Sequence, residues 1–219
     1  ADLIETTRLV EATGRGVVAR EGDVRDVESL REAVAEGIAK FGRLDIVSAN
    51  AGISPYTVDP ESWKVPDERW NDVIDVNLVG VRNTFRAAVP AMIDAGNGGS
   101  IIVTSSGAGI KGVYGLTDYC ASKFGVIGMA RTLANEVAPY NIRVNVIAPG
   151  TVSTDMVLNP DKGHFVYVAD KKLPDVSESN PKYVEARSQL ASFTNRLGAT
   201  GTSTTRPRTR RPERGELLA

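Results

Sequence analysis

The stretch Leu44-Asp45-Ile46-Val47-Ser48-Ala49-Asn50-Ala51-Gly52 passes from a compact apolar strand directly into a loop of small residues. A loop of this kind at a strand's C-terminal end leaves room for a ligand to run close to the backbone, although an ordinary tight turn has the same composition. Immediately upstream, Leu30, Val34, Ile38 and Phe41 line one face of a helix. An aspartate of Gly22-Asp23-Val24-Arg25-Asp26 caps its start, and Gly42 ends it. Before that, Gly16–Glu21 reads as a short strand. Leu3, Thr7 and Val10 fall at helical spacing ahead of Gly14, as the tail of a helix.

Downstream the alternation repeats. A long helix begins near Asp67 and carries Val73, Val76, Val79, Phe85 and Val89 to about Ile93. Gly98-Gly99 precedes the strand Ile101–Ser105. A helix starts at Thr117 or Asp118 and stops before Pro139, and Ile142–Ala148 is a further strand. Strand–helix units with nearly continuous apolar strands predict a parallel sheet covered on both faces, a Rossmann-like three-layer α/β/α fold. Beyond Pro149-Gly150 the rhythm weakens. Residues 151–177 read as a loop and Lys182–Leu197 as a helix. The expected organisation is a domain over 1–198 followed by a Thr/Arg/Pro-rich disordered tail over 199–219.

Composition narrows the function classes. The 26 Lys plus Arg nearly balance the 27 Asp plus Glu, for a net charge of −1, so no general attraction to nucleic acid or anionic membrane is expected. Arg206, Arg208, Arg210, Arg211 and Arg214 make the tail basic, but it has no aromatic residue to stack a base. One cysteine, Cys120, excludes an internal disulfide, and one histidine, His164, excludes the usual multi-ligand transition-metal cluster. No run approaches the length of a membrane span, and the acidic N-terminus is unlike a signal peptide. A cytoplasmic location is expected.

Tyr119-Cys120-Ala121-Ser122-Lys123 sets a phenol and an ammonium four positions apart on one helix face. A free phenol titrates near 10, too high for an efficient base at neutral pH. A nearby ammonium favours phenolate while burial opposes it. Such a pair can exchange an alcohol proton, although the spacing also occurs on many surface helices. Ser106 adds a donor that can hold a substrate oxygen, or simply satisfy a turn. Asn77 is an amide on an otherwise apolar helix face, so it needs partners, or anchors a water leading from Lys123. Pro149-Gly150-Thr151-Val152-Ser153-Thr154 lies at the same end of its strand as Asn50-Ala51-Gly52, with hydroxyls and amides for a carboxamide or phosphate.

In this order the residues resemble one family, the short-chain dehydrogenases/reductases. The resemblance covers about residues 1–197. The family's Asn-Ala-Gly falls on Asn50, Ala51 and Gly52, and its helical asparagine on Asn77. The serine thirteen residues before the tyrosine falls on Ser106, the Tyr-x-x-x-Lys pair on Tyr119 and Lys123, and the Pro-Gly cofactor loop on Pro149-Gly150 with Val152 and Thr154. Asp23, with Val24 beside it, matches the aspartate that faces the adenine ring. The resemblance implies an oxidoreductase moving hydride between NAD, with NADP still open, and a secondary alcohol or ketone. Asn77, Ser106, Tyr119 and Lys123 would be its catalytic set. It also implies a homodimer or homotetramer. Within the family, Glu61-Ser62-Trp63 through Asn71 and the Thr151–Val157 loop resemble the carveol-dehydrogenase-like group. That group is described as mycofactocin-coupled, with small or terpenoid alcohols and a tightly held cofactor.

The pattern also departs from the family. No Thr-Gly-x-x-x-Gly-x-Gly turn appears before Gly22, although that turn cradles the pyrophosphate in relatives. Strands 1, 2 and 7 of the family's seven have no counterpart here, and Gly198-Ala199-Thr200-Gly201 leads into the Arg/Pro tail rather than a closing strand. The expectation is therefore an incomplete set of four strands, in which Leu44–Ala49, Ile101–Ser105 and Ile142–Ala148 can lie together and Gly16–Glu21 has no direct partner. The competing functional reading is an inactive or unstable fragment lacking the glycine-rich loop.

Overall fold

The computed structural model describes residues 3–54, 61–113 and 115–150. Helix α1 (Leu3–Glu11) buries none of its residues. Helix α2 (Val27–Phe41) starts where Asp26 accepts a hydrogen bond from the Glu28 amide at 2.9 Å. It ends where Gly42 takes a left-handed φ of 83°, which a side chain would disfavour, and donates to the Ile38 carbonyl. Strand β1 (Ile46–Ala49) follows.

The long helix expected from Asp67 is continuous but not uniform. Helix α3 (Asp67–Ile74) and α4 (Gly80–Ala95) are joined by a π-helical turn over Asp75–Val79. Strand β2 (Gly99–Thr104), α5 (Thr117–Val137) and β3 (Ile142–Ile147) complete the described elements.

The architecture is the Rossmann-like three-layer α/β/α class with a small parallel sheet, ordered β1-β2-β3. Ile46 pairs with Ser100, and Gly99 with Ile142, so all three strands point the same way. Alternate residues Val47, Ala49, Ile101, Val103 and Ile142 face one core, with Val81, Ala88 and Met92 of α4 and Val126, Ala130 and Leu133 of α5 packed on them. Val34 of α2 joins its margin. Burying a side chain such as Ile101 or Val103 contributes roughly 1.5–3 kcal/mol, and both are fully buried. On the opposite face of the sheet Ile46 and Ile147 are 65% and 48% exposed.

Gly16–Glu21 is not a strand and, as expected for a segment without a neighbour, pairs with none among the described residues; the sheet there has three strands. Side chains of α2 hold the segment instead. Lys40 Nζ donates to the Val17 carbonyl at 2.9 Å, and Arg20 pairs with Glu32 and Glu36. The expected loop 151–177, the helix 182–197 and the tail 199–219 lie outside the described residues.

Candidate active site

Because the strands are parallel, the segments leaving their carboxyl ends meet at one edge of the sheet. They are tied to one another directly. Thr104 Oγ1 donates to Asn50 Oδ1 at 3.0 Å, the Ser105 amide to the Ile147 carbonyl at 2.8 Å, and the Gly107 amide to the Pro149 carbonyl at 2.8 Å. This shelf, not any single loop, is the frame of the site.

Helix α5 delivers Tyr119 and Lys123 to the shelf on one face, with Lys123 Nζ 5.6 Å from the centre of the Tyr119 ring. Ser106 hydrogen-bonds the Tyr119 phenol, and its oxygen also accepts from the Ala108 amide at 3.2 Å. The neighbouring Ser105 has a different task. It is buried and donates to the Lys123 carbonyl at 2.8 Å, tying the end of β2 to α5. Two adjacent serines thus point to opposite duties, one facing the phenol and one bracing the helix.

Of the two opposing effects expected on the phenol, burial is the larger and pushes Tyr119 above its ordinary value, with the Ser106 hydrogen bond opposing it. Burial likewise pushes Lys123 down to about 8. Cys120 is raised by burial and holds its sulfur against the Val113 backbone.

Asn77 lies in the π-helical turn and is fully buried. Its Oδ1 accepts from the Ile53 amide at 2.7 Å, while Nδ2 donates to the Ile53 carbonyl at 2.8 Å and to Ser122 Oγ at 3.2 Å. Its amide is therefore engaged in holding the loop after β1 against α5. Gly52 sits in the angle so formed. A Cβ there would lie 3.2 Å from both Asn77 Oδ1 and Lys123 Nζ.

Asp23 and Val24 approach the same end of the sheet from upstream. With Glu21, Gly22 and Ala51 they line an open depression of about 530 Å³. The Asp23 carboxylate is held by Arg25, which keeps it below the usual range. Val24 packs into the notch left by Gly80 of α4, and Asn83 of α4 donates to the Val24 and Arg25 carbonyls at 3.0 and 3.1 Å. Pro149 and Gly150 lie beside the segment after β2, where the Pro149 carbonyl accepts from the Gly107 amide, and Val152 and Thr154 lie outside the described residues.

The donor set fits a nicotinamide dinucleotide at this shelf. Lys123 is 4% exposed and, among the described residues, spends one of its three N–H donors on the Thr104 carbonyl at 3.1 Å. The others border Gly52, where the absence of a side chain keeps the cradle open. Among the described residues no group of three or more His, Cys, Asp or Glu side chains is placed to hold a metal ion, and no helix is long and apolar enough to cross a membrane.

Three contributors were not singled out from sequence. Ser105 and Asn83 carry no periodic signal that separates them from ordinary polar residues. The third is an ion pair between Arg69 of α3 and Asp118 of α5, with Nε to Oδ2 at 2.8 Å across 49 positions of chain. Asp118 in a helix's first turn reads locally as a charge complementing the helix dipole.

Fold and shelf together define a Rossmann-like α/β protein that gathers a phenol, an ammonium and a hydroxyl at the carboxyl ends of its strands. Residues 1–163 match the short chain dehydrogenase family, and the chain belongs to that family. It is 53% identical over 156 residues to an uncharacterised NAD-dependent oxidoreductase of Mycobacterium tuberculosis, covering 71% of this chain and 56% of that protein. It is 46% identical over 158 residues to a (−)-trans-carveol dehydrogenase of Rhodococcus erythropolis, covering 72% and 56%. The chain thus spans a little over half the length of these relatives. The crystal structure of carveol dehydrogenase from Mycobacterium avium in complex with NAD superposes with a TM-score of 0.76 at 36% identity, over 89% of this chain and 71% of that one.

Proposed function

We propose that the chain carries the catalytic half of an NAD-dependent oxidoreductase that interconverts a secondary alcohol and a ketone. The observation that carries this reading is the cluster of Ser106, Tyr119 and Lys123 on the shelf beside Asn50-Ala51-Gly52. When bound, the dinucleotide accepts or supplies the hydride. The chain's own residues then have separable tasks. Ser106 holds the substrate oxygen, Tyr119 moves the proton at that oxygen, and Lys123 biases the phenol toward phenolate and binds ribose hydroxyls. Asn77 keeps the loop after β1 in place behind Lys123. Asp23 and Val24 border the adenine end, and Asn50, Ala51, Gly52, Pro149 and Gly150 serve the rest of the cofactor, with Val152 and Thr154 assigned to it from the sequence alone.

The carveol dehydrogenase relatives support a small or terpenoid secondary alcohol as substrate. We extend the reading to the tightly held cofactor of mycofactocin-coupled members, to a functional unit over 1–198 with the tail over 199–219 outside it, and to a homodimer or homotetramer.

A second reading has its own observation. Among the described residues no strand–glycine turn–helix precedes β1 to present backbone amides to a pyrophosphate. On that reading the 219-residue chain alone is silent. Calorimetric titration with NAD, and turnover of carveol, distinguish the two. The measurements use this chain and a fusion that places a strand–glycine turn–helix segment ahead of residue 1. The oxidoreductase reading expects saturable binding and turnover in at least the fusion, with turnover lost in Tyr119→Phe by about 10²–10⁴-fold. A fusion that binds NAD yet loses nothing in Tyr119→Phe overturns it.

A further inference from the structure

We infer that the buried Arg69–Asp118 pair is a positioning and charge-neutralising device for Tyr119, joining α3 to the first turn of α5. The inference rests on Tyr119 being the proton-transfer group proposed above. Asp118 is fully buried, and the Arg69 side chain is only 13% exposed. The guanidinium meets the carboxylate in bidentate fashion, Nε to Oδ2 at 2.8 Å and Nη2 to Oδ1 at 3.3 Å. Nη2 also donates to the Gly115 carbonyl at 3.2 Å.

Two consequences follow from these contacts. The first is geometric. Gly115 has a left-handed φ of 74°, the turn that swings the chain into α5. Arg69 grips both that turn and Asp118, and Asp118 Oδ1 accepts from the Tyr119 amide at 2.8 Å. The backbone of the phenol-bearing residue is thereby referred to α3, which in turn is continuous with the π-helical turn that places Asn77. The α5 N-terminus has no side-chain cap from Leu116, so this external grip supplies what a local cap does not.

The second is electrostatic. A buried carboxylate bonded to the Tyr119 backbone amide adds negative charge to the helix turn that carries the phenol unless that charge is balanced, and in a dry setting little water is present to screen it. Arg69 supplies the balance at hydrogen-bonding distance. Among the described residues, the other titratable groups around the phenol are Lys123 and Cys120 on its own helix, with the Ser106 hydroxyl on the segment after β2. Bidentate geometry suits arginine and not lysine, so the pair holds both charge and orientation.

The test reads the phenol directly and needs neither cofactor nor turnover. The protein is produced with fluorotyrosine at its six tyrosines, and the Tyr119 resonance is assigned by its loss in Tyr119→Phe. Its titration is then followed by fluorine NMR. Arg69→Gln is expected to raise the midpoint by about one pH unit, a tenfold drop in phenolate at fixed pH. Arg69→Gln/Asp118→Asn is expected to return most of the way, and Arg69→Lys to stay near the parent midpoint while broadening the resonance. Asp118→Asn alone should lower the midpoint by leaving the guanidinium unbalanced, and this arm decides the matter should Arg69→Gln fail to fold. An unmoved midpoint in both folded single variants, or a double variant as high as Arg69→Gln, overturns the inference. Loss of the oxidoreductase reading would instead show as absent NAD binding and turnover, with these titrations unchanged.

Discussion

The side-chain amide of Asn77 pairs with both backbone groups of Ile53, accepting from its N–H at 2.7 Å and donating to its C=O at 2.8 Å. It behaves as a missing strand would, satisfying one residue of the loop that leaves β1. Both contacts sit around a fully buried amide, so their loss leaves polar groups without solvent. Asn77→Ala is expected to cost about 2–4 kcal/mol in urea unfolding. Asn77→Asp should cost at least as much, because a carboxylate can accept from the Ile53 amide but cannot donate to its carbonyl. An Asp variant as stable as the parent would show that the pairing contributes little.

Lys123 gives a stability signature that separates a functional lysine from a structural one. Burial lowers it from 10.5 to about 8. Between those values the unfolded chain holds a proton that the folded chain has released, so stability rises as pH rises through that window and is lowest below about 8. The full span amounts to about 3 kcal/mol. Lys123→Met, which removes the titrating group, is expected to be more stable than the parent at pH 7 and to lose this advantage by pH 10. Equal thermal midpoints for the two proteins across that range would contradict the assignment. A lysine kept at a cost in stability is what a site built for binding predicts.

How far the chain could be read in advance differs by element, and the reasons are physical. The ends of α2 were legible because Asp26 and Gly42 act locally, through a side-chain oxygen and a left-handed turn. Ser106, Tyr119 and Lys123 were legible because a strand end and a helix face fix their spacing. Gly16–Glu21 has the composition of a strand but, as expected, no partner beside it, and α2 meets its Val17 carbonyl and Arg20 charge instead. The upward shift of Tyr119 depends on burial, to which residue spacing is blind. The π-helical turn at Asp75–Val79 has no breaker to announce it, and the Arg69–Asp118 pair joins positions that no periodicity relates.

Gly80 is a tight point between α4 and the segment bordering the proposed adenine end. Its φ of −59° is helical, so alanine suits the backbone, and helix propensity alone favours the change. A Cβ would, however, stand 2.6 Å from Val24 Cγ2 and 2.9 Å from Val24 Cβ. The overlap is expected to win, with Gly80→Ala losing about 1–3 kcal/mol in denaturant unfolding. Adding Val24→Ala should then recover part of that loss, because it removes the methyl groups in the way. A double variant no better than Gly80→Ala would mean that the clash is relieved elsewhere.

The two adjacent serines should fail in opposite ways. Ser105 Oγ is buried, donates to the Lys123 carbonyl at 2.8 Å and fills the space a Gly109 Cβ would need, a packed structural position. Ser105→Ala removes the second hydrogen bond of a carbonyl that α5 already pairs within the helix, and is expected to cost about 0.5–1.5 kcal/mol in urea unfolding. Ser106 instead opposes the upward shift of the phenol. Ser106→Ala is expected to change stability little, to raise the Tyr119 titration further and to depress turnover in the NAD-binding fusion. The phenol midpoint, read by fluorine NMR in both variants, is decisive because a bracing role moves stability and a proton-handling role moves the midpoint. Should Ser105→Ala shift the phenol more than Ser106→Ala does, the division of labour between the two hydroxyls is the reverse of the one drawn from their contacts.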